Sequence, residues 1–105
     1  RAVALKVLVA DVSRGGTGTK KRVTWDFAFG LSEAEVHSVS LTHSVLSGKK
    51  VVQVDGGVVL RTDHVEAGDV HLRVRVAAVE CVVFISSASE YGLYIAGTDF
   101  EKLPK

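Results

Sequence analysis

The chain has 105 residues, a net charge of +1 and 47% hydrophobic residues, among which valine dominates. That length makes one domain, able to bury roughly 65% of the surface its unfolded chain would expose. The balanced charge excludes a global field drawing in nucleic acid or an acidic membrane, and no apolar run approaches the roughly 18 residues of a membrane span.

Ala2 to Val12 reads as a strand. Val3, Leu5, Val7 and Val9 share one face, and Ala2, Ala4, Leu8 and Ala10 lie on the other, so cover on both sides is expected. Alanine and leucine also favour helix, but the period of two decides for strand. Ser13 to Lys21 is a polar, Gly-rich loop. It lacks the Gly-Lys-Ser/Thr step and the following helix that a phosphate loop needs.

Val23, Trp25, Phe27 and Phe29 alternate with Thr24, Asp26 and Ala28. The three aromatics are expected in the core, since each ring buries a large apolar area. A stacking platform is the alternative. Gly30 to Glu35 is a turn. In Val36 to Val45, Val39, Leu41, His43 and Val45 face inward opposite a row of Ser and Thr. His37, at the strand start, is expected to be wet. His43 is expected to be neutral, with one ring nitrogen satisfied by a backbone group.

Gly48 breaks the chain before a hairpin of Lys50–Val54 and Val58–Thr62, whose tip Asp55-Gly56 is the strongest short-range turn signal. Asp63 to Asp69 is a second turn. Val70, Leu72, Val74 and Val76 then alternate with His71, Arg73 and Arg75, so that sheet face meets water. Val79, Cys81, Val83 and Ile85 follow a turn at Ala77-Ala78, and Val82 and Phe84 opposite them mark a central strand. After a turn at Ser86 to Ser89, Tyr91, Leu93 and Ile95 make a last strand, ended by Gly97. The tail from Thr98 is polar apart from Phe100 and Leu103. The expected fold is an all-β, antiparallel sandwich of two facing sheets, with about eight strands and no substantial helix.

No constellation for chemistry stands out. His37, His43, His64 and His71 lack metal-ligand spacing, so neither metal nor cofactor is expected. Cys81 is the single cysteine, which excludes an internal disulfide and fits a reducing, cytoplasmic compartment. Its valine neighbours point to a buried, inert thiol. Lys20, Lys21, Arg22, Lys49, Lys50, Arg61, Arg73 and Arg75 make a basic strip only if the fold puts them on one surface. Asp26, Asp55, Asp63, Glu66, Asp69 and Glu80 are expected in turns or on wet faces.

From Val23 onward the order of features resembles the Fas apoptotic inhibitory molecule (FAIM) family. The matching pieces are Val23 with Trp25-Asp26, Ser32-Glu33, His37 and His43, Ser47-Gly48-Lys49, Val52 with Val54-Asp55-Gly56, and Tyr94-Ile95 before Gly97. The resemblance spans about residues 23–103. It implies a single β-sandwich domain acting as a non-enzymatic, intracellular protein-interaction module, in a family associated with protection from death-receptor signalling and from aggregation. Residues 1–22 have no counterpart and are expected to add a strand and a Gly-rich loop. The chain opens on Arg1, and the expectation is a module of a longer protein. The expected interaction edge is the first strand, with Val3, Leu5, Val7 and Val9. It would serve a protein partner or self-association, with neither nucleic acid nor membrane. The alternative is a ligand- or glycan-binding sandwich using Trp25, Phe27 and Phe29 or the Tyr91/Tyr94 region. An enzyme would have to use His43.

Overall fold

Strand-forming valines with period two produce two antiparallel meanders. The structure, a computed structural model, describes residues 2–12, 19–29, 35–63, 68–88 and 90–104. The Gly-rich segment 13–18, the turn residues 30–34 with Ser32 and Glu33, His64 and Glu66, and Ser89 lie outside the described residues. Strands β1 (Ala2–Asp11), β2 (Lys20–Phe29), β3 (Val36–Ser44), β4 (Lys50–Val54) and β5 (Gly57–Thr62) form a five-stranded sheet in sequence order. Strands β6 (Val70–Val76), β7 (Val79–Ile85), β8 (Tyr91–Ile95) and β9 (Thr98–Asp99) form a four-stranded sheet, also in sequence order. Every pairing is antiparallel.

The two sheets close on one core. Val23, Trp25 and Phe27 of β2, Val39 and Leu41 of β3, and Val52 of β4 are buried against Leu72 and Val74 of β6, Cys81, Val83 and Ile85 of β7, and Leu93 and Ile95 of β8. Phe29 is half-buried at the margin and packs on this cluster. The rings therefore point inward: Trp25 is 2% exposed and Phe27 0%. This overturns the stacking-platform alternative for these residues, since a buried ring offers no face to a base or sugar.

Two-residue turns join neighbouring strands. Asp55 (φ 50°) and Gly56 (φ 85°) close β4–β5, Ala77 (48°) and Ala78 (65°) close β6–β7, and Ala96 (50°) and Gly97 (85°) close β8–β9. Positive φ at both central residues is the turn whose twist matches paired strands. The alanine pair holds it at a cost of about 1 kcal/mol per residue, because its Cβ crowds the carbonyl.

The structure corrects the sequence reading at both ends of the chain. Lys20 and Lys21 belong to strand β2 rather than to a loop. The tail is not a polar appendage. It adds β9 and a short 3-10 turn at Phe100–Lys102, capped by the Asp99 carboxylate accepting from the Glu101 N–H, and it buries Phe100 and Leu103 in the core. The Ala4 N–H donates to the Pro104 carbonyl at 2.8 Å, so the C-terminus is stitched to the first strand. The described strands number nine, one more than the spacing predicts.

Candidate interaction surface

Among the described residues, strand β1 is the outermost strand of the larger sheet and has β2 as its one strand neighbour. Ala2 sits opposite Phe29 and Ala4 opposite Phe27, on the core side. The register then slips between Ala4 and Lys6, making Leu5 the extra residue of a bulge. Beyond it Val7 faces Trp25 and Val9 faces Val23 on the core side, while Lys6, Leu8 and Ala10 lie on the outer side. Val3, Leu5, Val7 and Val9 thus do not share one face, because a one-residue bulge reverses the alternation. Nor is the strand covered on both sides. Leu5 is 50% exposed, Val7 43%, Leu8 53% and Val9 59%. Even the core-side valines stay wet, so the smaller sheet stops short of this end of β1.

The hairpin tip is locked to β3. The Asp55 N–H donates to the Ser38 carbonyl, the Ser38 N–H donates to Asp55 Oδ1, each at 2.8 Å, and His37 Nδ1 lies 2.9 Å from Asp55 Oδ2. Partial burial pushes the Asp55 carboxyl up, but the His37 ring and the Ser38 amide outweigh it and hold it below the usual 3.8. His37 is half-buried against Phe27 and Phe29, not a free wet side chain. Sequence reasoning missed this contact. The signal was the turn at Gly48, which sets β3 against β4 in a register that brings Ser38 beside Asp55.

His43 is buried on the core side of β3, and its Nδ1 lies 2.9 Å from Tyr91 Oη on β8. The partner is a phenol from the facing sheet, not a backbone group. Burial, and then the charge of Lys50, push His43 below its usual 6.5. A histidine so shifted resists protonation in the folded state. Stability is then fully present above about pH 6.5 and falls as the pH drops through and below that value. We expect the urea midpoint to decline from pH 7 to pH 5, and His43→Gln to flatten that part of the decline. Lys50 is itself buried, its Nζ donating to the Gly48 carbonyl at 2.9 Å.

The remaining cations divide between surfaces. Lys20, Arg22, Lys49 and Arg61 line one shallow cavity on the outer face of the five-stranded sheet. Arg73 and Arg75 lie on the exposed face of β6. Cys81 is buried, and burial followed by the charge of Glu80 raises its thiol to about 11, so little thiolate exists at neutral pH. Among the described residues, no three His, Cys, Asp or Glu side chains gather as a metal site, and no helix is long and apolar enough to cross a membrane. Tyr91 and Tyr94 are both half-buried.

A model of the family described as Fas apoptotic inhibitory molecule (FAIM1) matches residues 22–105. No curated protein and no solved structure matches the chain.

Proposed function

Since the chain belongs to the Fas apoptotic inhibitory molecule (FAIM1) family over residues 22–105, we propose that it is a non-enzymatic protein-interaction module that docks through the free edge of β1. The regulatory setting is the one its family implies, control of apoptosis or opposition to aggregation, in a reducing cytoplasm where a lone cysteine is at home. The observation that carries the reading is the run Leu5, Val7, Leu8 and Val9, large apolar side chains left exposed on an outermost strand. An edge strand offers unpaired N–H and C=O groups for a further strand to add.

The favoured occupant is a second copy. Two β1 strands paired antiparallel across a two-fold at Leu8 set Leu8 against Leu8 on the outer side and Val7 against Val9 on the core side. Apolar residues then meet apolar residues at the centre of the pairing, with Lys6 opposite Ala10 on either side of it, and the arrangement is self-complementary as a closed two-fold interface requires. Sedimentation across a concentration series is expected to show a dimer, with added hydrogen-exchange protection at Lys6–Ala10. Leu8→Lys is expected to abolish both, because a charge on the outer side is a common guard against edge pairing. A chain that stays monomeric, and whose Lys6–Ala10 amides gain no protection at any concentration or with an added protein partner, overturns the proposal.

A further inference from the structure

We propose that the outer face of the five-stranded sheet is a binding site for the phosphate of a phosphorylated serine or threonine on an extended peptide. The residues that line it include none from β1. Cross-strand register builds it. Arg22 on β2 stands opposite Thr42 on β3, Thr42 opposite Val51 on β4, and Val51 opposite Arg61 on β5. One step along, Lys20 stands opposite Ser44. Lys49, just before β4, completes the rim. These side chains enclose a shallow cavity of about 210 Å³, which no carboxylate among the described residues lines.

The geometry is that of a clamp. Strands lie about 4.8 Å apart, so Lys20 and Arg22 on one side and Arg61 on the other are separated by about 14 Å of backbone. Long basic side chains on either side lean over a floor that carries the hydroxyls of Thr42 and Ser44. Arg22 Nε donates to Thr42 Oγ1 at 3.1 Å, which fixes the guanidinium and leaves its terminal nitrogens to aim outward. Among the described residues, none of the four cations is held in an ion pair. The chain's net charge is only +1, so four positive charges on this face leave the rest of the molecule net acidic. The concentration is local, not a property of the whole.

The chemistry selects the ligand. A phosphate monoester carries close to two charges and three acceptor oxygens, which suits two guanidinium forks with hydroxyl donors beneath. Charge-assisted bonds of this kind are about twice as strong as neutral ones. Single-stranded nucleic acid needs aromatic faces for its bases, and the aromatics of β2 lie on the opposite side of the sheet. The apolar groups lining the cavity are the short side chains of Val51 and Val58, which reach too little beyond the sheet to anchor in a membrane, and this leaves a peptide as the bearer of the phosphate.

The test is an amide-shift titration of the domain with a degenerate phosphoserine peptide pool, its unphosphorylated twin, inorganic phosphate, an oligouridylate and phosphatidylserine vesicles. The phosphorylated pool is expected to bind about tenfold or more tightly than its twin. Shifts should concentrate at Arg22, Thr42, Ser44 and Arg61, with inorganic phosphate competing at the same residues. Arg22→Gln and Arg61→Gln should each weaken binding about tenfold, while Arg73→Gln leaves it unchanged. Equal binding of the two pools overturns the proposal. So do tighter binding of oligouridylate or vesicles, and shifts spread evenly over every basic residue including Arg73 and Arg75. The dimer of β1 is read separately by sedimentation of Leu8→Lys, so either result can fail without the other.

Discussion

Trp25→Ala is expected to remove about 3–5 kcal/mol of stability, the range for deleting a large buried aromatic and leaving its cavity. Against the 5–15 kcal/mol that holds a typical domain folded, the loss is a large fraction of the total. The residue sits mid-strand on β2, directly between Val7 and Val39, and is 2% exposed. It is the core's largest side chain, with the Leu93 region of the facing sheet beside it. Trp25→Phe keeps most of the buried area and is expected to lose well under half as much. Urea unfolding followed by circular dichroism reads both. In the unmutated chain, acrylamide should quench the single tryptophan weakly. Strong quenching, or an alanine variant as stable as its parent, would reverse the inward placement of the ring.

Asp55→Ala is expected to cost about 2 kcal/mol, large for a residue that is exposed to solvent. One side chain serves the Ser38 amide and the His37 ring while its own backbone holds φ at 50°. Each lost hydrogen bond to a charged group removes about 1 kcal/mol or more, and alanine tolerates the left-handed region less well than aspartate. Asp55→Asn keeps the turn preference and an acceptor for Ser38, so it is expected to cost less than half as much. A double-mutant cycle with His37→Ala isolates the ring contact. Because the folded carboxyl titrates below 3.8, its contribution is present above about pH 4 and disappears as the pH falls through the lowered value. An Asp55→Ala variant with no loss at pH 7 would refute the lock.

Legibility in the sequence followed locality. Val70 to Val76 alternates without interruption, and β6 has those bounds with the valines inward. Asp55-Gly56 and Ala77-Ala78 lie where the turns are, since a turn is written in adjacent residues. What failed depends on pairs far apart. Leu5 carries no mark of a bulge, because the slip arises from pairing with β2 and not from its own chemistry. Phe100 and Leu103 stand three apart in a polar tail, and only the 3-10 turn aims both at the core. The contacts of His37 with Asp55 and His43 with Tyr91 bridge 18 and 48 residues. The basic cavity likewise exists only after four strands are in register, so a list of lysines and arginines could not separate Arg22 and Arg61 from Arg73 and Arg75.

Each sheet runs in unbroken chain order, β1 to β5 and then β6 to β9, so within a sheet every strand zips onto the one made just before it. Loop-closure entropy is small for such neighbours, and folding speed rises as contacts become more local. The chain can therefore assemble from its N-terminus as it is synthesised, one hairpin at a time. The docking of the second meander on the first, and the Ala4–Pro104 hydrogen bond that goes with it, must wait for the whole length. Mutations at the inter-sheet contacts, rather than at the turns, will act on that docking.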